Sequence, residues 1–386
     1  MTAIVSPRGE ARWTRGHPWI FRSDLLERPD APAGVVPVTA RNGRPLGEAL
    51  WSPSSEIALR FLTRPGAPPI DGAWWRHRLE GAIARRAPLV GVTTAMRLVH
   101  GEGDGLPSLV VDRYDRWLVV QLLSAGLASL EAQVVPLLLE LTGCEGVLAR
   151  HDVGARRREG LDDAVRLLAG DVPRAITVME HGVRYVAAPW DGQKTGAFLD
   201  QRENRALVGA LARGRALDCF AYHGSFALHL ARRASDVVAL DISGAALDRA
   251  RTHAAENGLT NVATVEADAF EWLRDAVRRG ERFETIVVDP PAFAKSRAAI
   301  PQARRGYADI NRLAMKLLAP GGTLFSASCS HHIDRSTFLA MLAEAAADSG
   351  RRLELRGTTG HALDHPELLT IPETGYLKGA VLVAQD

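Results

Sequence analysis

Lysine is nearly absent from this chain of 386 residues. Of 47 basic side chains only Lys194, Lys295, Lys316 and Lys378 are lysine, and the rest are arginine. Arginine is the better fork for phosphate, so each lysine marks a position to inspect for a special role. Cysteine is as sparse. Cys144, Cys219 and Cys329 are odd in number and widely spaced, which excludes a disulfide framework and any metal-ligand spacing, so no metal site is expected. Long apolar runs are missing too, and none approaches the ~20 residues of a membrane span. The first fifteen residues carry Arg8, Glu10, Arg12 and Arg15 and no apolar core segment, unlike a secretory signal. A cytoplasmic protein with no membrane partner is expected. A formal charge of +2 excludes a globally basic nucleic-acid binder, so any basic surface is local. What remains is ordinary globular composition, 46% hydrophobic and 24% charged, with length enough for two or three domains.

Three segments follow. Residues 1–68 carry short strand-like runs at 35–38, 47–51 and 57–62, separated by turn signals such as Arg41-Asn42-Gly43. Ahead of these runs arginines alternate with aromatics, including Arg15 and Trp19. That mixture suits phosphate pairing and base stacking, or else a domain edge with its tryptophans buried. Pro65-Gly66-Ala67-Pro68-Pro69 is a linker. Residues 69–184 mix helices (74–86, 129–141) with strands (109–114, 118–123). Their Gly101-Glu102-Gly103-Asp104-Gly105 run looks like an ion loop but lacks the helix and lysine of one, so a hairpin turn is expected.

From 185 to 386 strands and helices alternate strictly, which is the pattern of a doubly wound parallel α/β sheet. Strands are expected at 216–220, 237–241, 263–268, 286–289 and 323–328, with a hairpin of 374–377 and 380–383 adding an antiparallel edge. Ligands of such sheets lie over the carboxyl ends of the strands. Those ends carry Phe220, Tyr222 and Gly224 in a tight turn, then Asp241 with Ile242, Asp268 with Ala269, and Asp289. A nicotinamide dinucleotide would need Gly-x-Gly-x-x-Gly around its pyrophosphate, and this turn has one glycine. S-adenosylmethionine carries no phosphate and suits three successive strand-end acids better.

The fourth and fifth strands then deliver Asp289-Pro290-Pro291-x-Phe293 and Ser328-Cys329-Ser330. Neighbouring strands lie about 4.8 Å apart, so Asp289 and Cys329 are expected to reach one flat ligand. The prolines stiffen the backbone so that a flipped base can donate to Asp289 or a backbone carbonyl and stack on Phe293. Carbon 5 of a pyrimidine becomes nucleophilic only after addition at carbon 6, which a thiolate does well. Cys329, in a polar setting at a strand end, suits that role, against the usual fate of a free cysteine as a core residue.

These motifs, with Arg15-Gly16-His17-Pro18-Trp19-Ile20-Phe21, Gln193-Lys194-Thr195-Gly196-x-Phe198-Leu199-Asp200-Gln201-Arg202, Asp364-His365-Pro366 and Tyr376-Leu377-Lys378-Gly379, resemble the bacterial large-subunit ribosomal RNA 5-methylcytosine methyltransferases over essentially the whole length. The resemblance implies a small β-barrel PUA-like domain, a central α+β domain and a class I (Rossmann-like) methyltransferase domain. It implies ribosomal RNA as partner, S-adenosylmethionine as cofactor, Cys329 as nucleophile and Asp289 as its partner on the base. It also implies Asp200 and Arg202 at the cofactor's methionine end, and Lys194, Arg15 and Trp19 on RNA. His223 and Ser225 stand where relatives often carry Thr and Gly. No second cysteine follows the proline motif, so Asp289, His331 or a water remain open as acceptor of the carbon 5 proton. Purine N-methylation, a non-catalytic RNA-binding factor and a homodimer are left open as well.

Overall fold

The computed structural model describes residues 2–293 and 297–386, so Lys295 lies outside the described residues. The chain forms two compact units. One holds the residues up to Glu180, Val186–Leu199 and Leu363–Thr374; the other holds His181–Tyr185, Asp200–Ala362 and Gly375–Asp386. Among the described residues no helix is long and apolar enough to cross a membrane.

The first unit holds a six-stranded and a five-stranded sheet. Its amino-terminal sheet has six strands, in the order Trp19–Phe21, Ile57–Phe61, Pro45–Trp51, Gly34–Ala40, Ala3–Val5, Leu25–Glu27. Three of these are shorter than the runs that periodicity detects. Trp13, from the helix Pro7–Thr14, stacks on Phe61 at 4.2 Å and donates its indole N–H to Leu46. The second sheet has five strands, and the helices Gly72–Ala84 and Glu131–Thr142 join its core through Trp75, Leu79, Val134 and Leu138.

The Gly-rich run is a single 3-10 turn, Gly101–Asp104, between the antiparallel strands Ala95–His100 and Leu109–Tyr114. Its acid faces inward. Asp104 accepts from Arg86 at 2.6 and 2.8 Å, from Arg85 at 2.7 Å and from the His100 amide at 2.7 Å. Burial pushes this carboxyl up, but the bonds and charges of Arg86 and Arg85 outweigh it and hold the carboxyl below the usual range. The loop is an internal anchor. Arg86 also donates to the Asp364 carbonyl, and the Arg97 amide to the Asp364 carboxylate, tying Leu363–Thr374 to this unit.

The second unit is the doubly wound sheet. Its strands are β1 (Arg215–Cys219), β2 (Asp236–Asp241), β3 (Val262–Glu266), β4 (Phe283–Val288), β5 (Leu318–Ser328), β6 (Leu353–Thr359) and β7 (Lys378–Ala384), in the order β3-β2-β1-β4-β5-β7-β6. The helices are α1 (Arg202–Leu211), α2 (Ser225–Ala231), α3 (Gly244–Glu256), α4 (Ala269–Arg278), α5 (Ile300–Leu317) and α6 (Arg335–Ser349). Strand alternation divides the core. Leu217, Ile286, Val288 and Leu324 face α4, α5 and α6, while Ala216, Val287 and Phe325 face α1 and α2.

Three expectations change here. The anticipated edge hairpin does not form: Pro372–Thr374 is a 3-10 turn, and β7 runs antiparallel between β5 and β6. β6, Leu-Glu-Leu-Arg-Gly-Thr-Thr, is an edge strand with little burial and so carries a weak hydrophobic signal. β5 starts at Leu318, ahead of the strand expected at 323–328, and Pro320-Gly321-Gly322 lies within it where the register against β4 shifts. β3 stops at Glu266, and Asp268 serves as the N-cap of α4, accepting from the Glu271 amide at 3.0 Å.

Candidate active site

The turn after β1 is strained. Phe220 and Tyr222 have φ of 64° and 49°, left-handed values that cost a non-glycine residue about 1–2 kcal/mol each. Two acids hold it. Asp241, ending β2, accepts from the Tyr222 amide at 2.8 Å and the Ser243 amide at 2.9 Å. Asp218, buried in β1, accepts from the Ala227 amide in the first turn of α2 at 2.9 Å. Gly224 caps α2 at φ 82°, and a Cβ there would lie 2.9 Å from that of Ala250. Backbone strain held in this way by two side-chain carboxyls at strand ends is of the kind that clusters at ligand sites.

Beside the turn, Ile242 is 71% exposed, a large aliphatic side chain next to a carboxylate. Asp268 is exposed and Ala269 buried at the start of α4. Burial raises the Asp218 carboxyl well above the usual range, and the charges of Asp289 and Asp241 push the same way. The ends of β1, β2 and β4 thus share one electrostatic environment.

His223, within the turn, is buried against Tyr185 at 5.4 Å, Tyr222 at 4.8 Å and His253 at 5.6 Å. Neither of its ring nitrogens has a hydrogen-bond partner among the described residues. Burial, then the charges of His253 and Arg205, push its pKa down to about 3 from 6.5. Between pH 6.5 and 3 the unfolded chain therefore takes up a proton that the folded chain refuses. The stability His223 supports is complete above pH 6.5 and declines as pH falls through that window, by up to ~1.4 kcal/mol per pH unit. Urea midpoints at pH 7.5 and about 5 should show that His223→Phe flattens this slope by roughly one proton; an unchanged slope would refute the assignment.

At the other end of the site, half-buried Asp289 follows β4, and Pro290 beside it is buried. Phe293 lies between Phe270 at 6.2 Å and Tyr307 at 4.7 Å. Gly306 permits that approach, since a Cβ there would meet the Phe293 ring at 3.3 Å. Cys329 follows β5 and is half-buried, whereas Cys219 is fully buried in the core. The loop turns tightly: the Ser330 amide reaches the Ser328 hydroxyl at 3.4 Å, and the Ser330 carbonyl accepts from Ile333 at 3.1 Å.

Two residues to which sequence patterns give no role complete this end. Tyr307 of α5 shares a hydrogen bond of 2.9 Å with the Ser330 hydroxyl. Burial raises its phenol pKa, and Cys329 is among the charges it senses. Tyr307 thus touches the proline loop through Phe293 and the cysteine loop through Ser330. Lys378 donates to the Ser330 carbonyl at 2.7 Å. Tyr307 shares a helical stripe with Ala303, Ile310 and Ala314 and reads as core, while Lys378 sits in a recognisable motif that names no function for it.

Asp200 is buried and accepts from the Tyr376 hydroxyl at 2.7 Å; the Tyr376 ring packs against His331 at 5.0 Å and His361 at 4.3 Å. Arg202 has no exposed surface and pairs with Glu203 at 3.0 Å. The three remaining candidates belong to the first unit. Lys194 is exposed at φ 53° with its amine 4.7 Å over Phe198. Arg15 is exposed, and Trp19 is half-buried with its indole N–H on Glu102 at 2.8 Å.

A seven-stranded sheet in this order, with an anchored turn over β1 and an acid ending β2, is a Rossmann-like methyltransferase fold. The chain belongs to the S-adenosylmethionine-dependent methyltransferase family, whose model matches residues 96–355. A PUA-like domain model matches residues 3–64. Among its relatives, a ribosomal RNA large subunit methyltransferase I from Shewanella amazonensis is 39% identical over 98% of both chains. One of the same name from Aeromonas salmonicida is 39% identical over 96% of both. A structure from Streptococcus mutans described as a SAM-dependent methyltransferase aligns over 99% of this chain and 100% of its own, with a TM-score of 0.82. A methyltransferase solved with SAH aligns equally widely with a TM-score of 0.83. At 19% and 18% identity, these two likenesses are of fold.

Proposed function

We propose that this protein methylates carbon 5 of a cytosine in ribosomal RNA, with Cys329 as nucleophile. The observation that carries the reading is a half-buried thiol at the end of β5, on the strand next to the one that ends before Asp289. The names of the relatives support ribosomal RNA as substrate. The anchored turn fits the cofactor. Asp241 keeps acceptor capacity beyond its two amide bonds for ribose hydroxyls, and exposed Ile242 offers an apolar face to adenine. Asp268 and Ala269 are assigned to the adenine edge, and Asp200 and Arg202, acting through Tyr376 and Glu203, to the methionine end.

On the substrate side, Asp289 accepts from the cytosine amino group, Pro290 stiffens that loop, and half-buried Phe293 is assigned to stacking on the base. The Cys329 thiolate bonds to carbon 6, and the electron pair of the 5,6 double bond moves to carbon 5. When bound, S-adenosylmethionine supplies an electrophilic methyl group there. Loss of the carbon 5 proton to a base reforms the double bond and expels the thiolate. Arg15, Trp19 and Lys194 are assigned to RNA outside the reacting base. The test is to incubate the protein with labelled cofactor and unmodified ribosomal RNA and digest to nucleosides. Label in 5-methylcytidine is expected. Label confined to N-methylated purine overturns the reading, and no transfer with no cofactor binding in calorimetry favours a non-catalytic RNA-binding role.

A further inference from the structure

Lys378 is one of four lysines in a chain that otherwise uses arginine, and it is buried, at 4% exposure. It opens β7, and the antiparallel register sets it opposite Ser328, the residue before Cys329. Its ammonium donates to the carbonyl of Ser330, the residue after Cys329, at 2.7 Å, and to that of Tyr376 at 2.8 Å. Both neighbours of Cys329 are therefore held by this one position, Ser328 through the ladder and Ser330 through the ammonium.

A neutral donor would satisfy two carbonyls without taking a full charge out of water, which is the costly part of burying lysine. The ammonium therefore brings a full positive charge to this loop as well as two donated bonds. Other groups face the same loop. Tyr307 from α5 senses Cys329. Asp334, capping α6, senses Lys378. Asp289 ends the neighbouring strand, and His331 follows on the loop itself. Asp334 offsets part of this positive charge, and a cation bonded to the carbonyl of the residue after Cys329 favours a negative sulfur.

We propose that Lys378 activates Cys329 electrostatically, its buried ammonium favouring the thiolate. The biological meaning rests on Cys329 being the nucleophile, but the effect on the sulfur is measurable without that reading. The experiment is the pH profile of Cys329 alkylation by iodoacetamide in the full-length protein, read from its peptide by mass spectrometry. Cys144 and Cys219 are buried and serve as slow internal references. Lys378→Gln keeps an amide donor for the carbonyls and removes the charge; Lys378→Arg keeps the charge; Tyr307→Phe loosens Ser330 without altering charge.

The expected result is a midpoint raised by about one pH unit in Lys378→Gln, roughly tenfold less thiolate below the midpoint, and little movement in the other two. Equal shifts in Lys378→Gln and Lys378→Arg, or none in Lys378→Gln, overturn the proposal in favour of a purely structural lysine. Should Lys378→Gln not fold, the unaltered protein still decides: a Cys329 midpoint at or above the ~8.5 of free cysteine also overturns it. Methylation that survives Cys329→Ala while the midpoint shift is present refutes the nucleophile and leaves the activation intact. Methylation lost in Cys329→Ala with an unmoved midpoint does the reverse.

Discussion

Cys329→Ala should reduce formation of 5-methylcytidine by ~10⁴-fold or more, the scale on which removing a covalent nucleophile acts. Without a sulfur to add at carbon 6, carbon 5 stays a poor nucleophile, and positioning alone cannot replace the missing electron density. Affinity for S-adenosylhomocysteine should remain within about twofold, because the cofactor turn is anchored by Asp241 and Asp218 at the ends of other strands. The fold should also survive, since Cys329 is half-buried and lies outside the core that includes Cys219. Single-turnover assays and calorimetry on one preparation check both statements. A variant that keeps a tenth or more of the wild-type rate would rule out covalent catalysis and favour N-methylation, which needs no thiol.

Asp241→Ala should raise the dissociation constant for S-adenosylhomocysteine by about 100-fold, equivalent to ~2.7 kcal/mol. Two losses combine. On the proposed function, the direct one is a charged acceptor for ribose, worth ~1.5–3 kcal/mol for a bond to an ionised group. The indirect one is the turn itself, because the carboxylate binds the amide of Tyr222, a residue held at φ 49°. Once released, Tyr222 relaxes toward negative φ and the turn loses its prepared shape. Asp241→Asn should lose less, about tenfold, since one amide oxygen still accepts while its NH₂ faces a backbone donor. Calorimetry decides; an unchanged constant in the alanine variant would remove Asp241 from the cofactor site.

Much of this protein is legible from local pattern. Buried parallel strands read as short apolar runs and helices as 3.6-residue stripes, so the alternation from 216 to 349 is written in the chain itself. Strand ends follow from the same pattern, which is why Phe220, Tyr222, Asp241, Asp289 and Cys329 stand out from the order of residues alone. Asp268 stands out for the wrong local reason, as a strand end where it is a helix cap.

Other features depend on pairings that no local pattern encodes. β7 inserts between β5 and the polar edge strand β6, and only that insertion brings Lys378 to Ser330, 48 residues away in sequence. Tyr307 carries the periodicity of a core residue, and its role exists only because Ser330 comes within 2.9 Å of its hydroxyl. The turn at Asp104 is legible from the sequence, but the pairing of its acid with Arg85 and Arg86 is not. Periodicity reports which face of an element is buried, because burial acts on each side chain separately. Which polar group meets which depends on the partner's position, and only the assembled sheet fixes that. The sequence by itself thus determined the class of fold and the acid and thiol at neighbouring strand ends, while the tertiary structure decided what holds that thiol and what charge stands behind it.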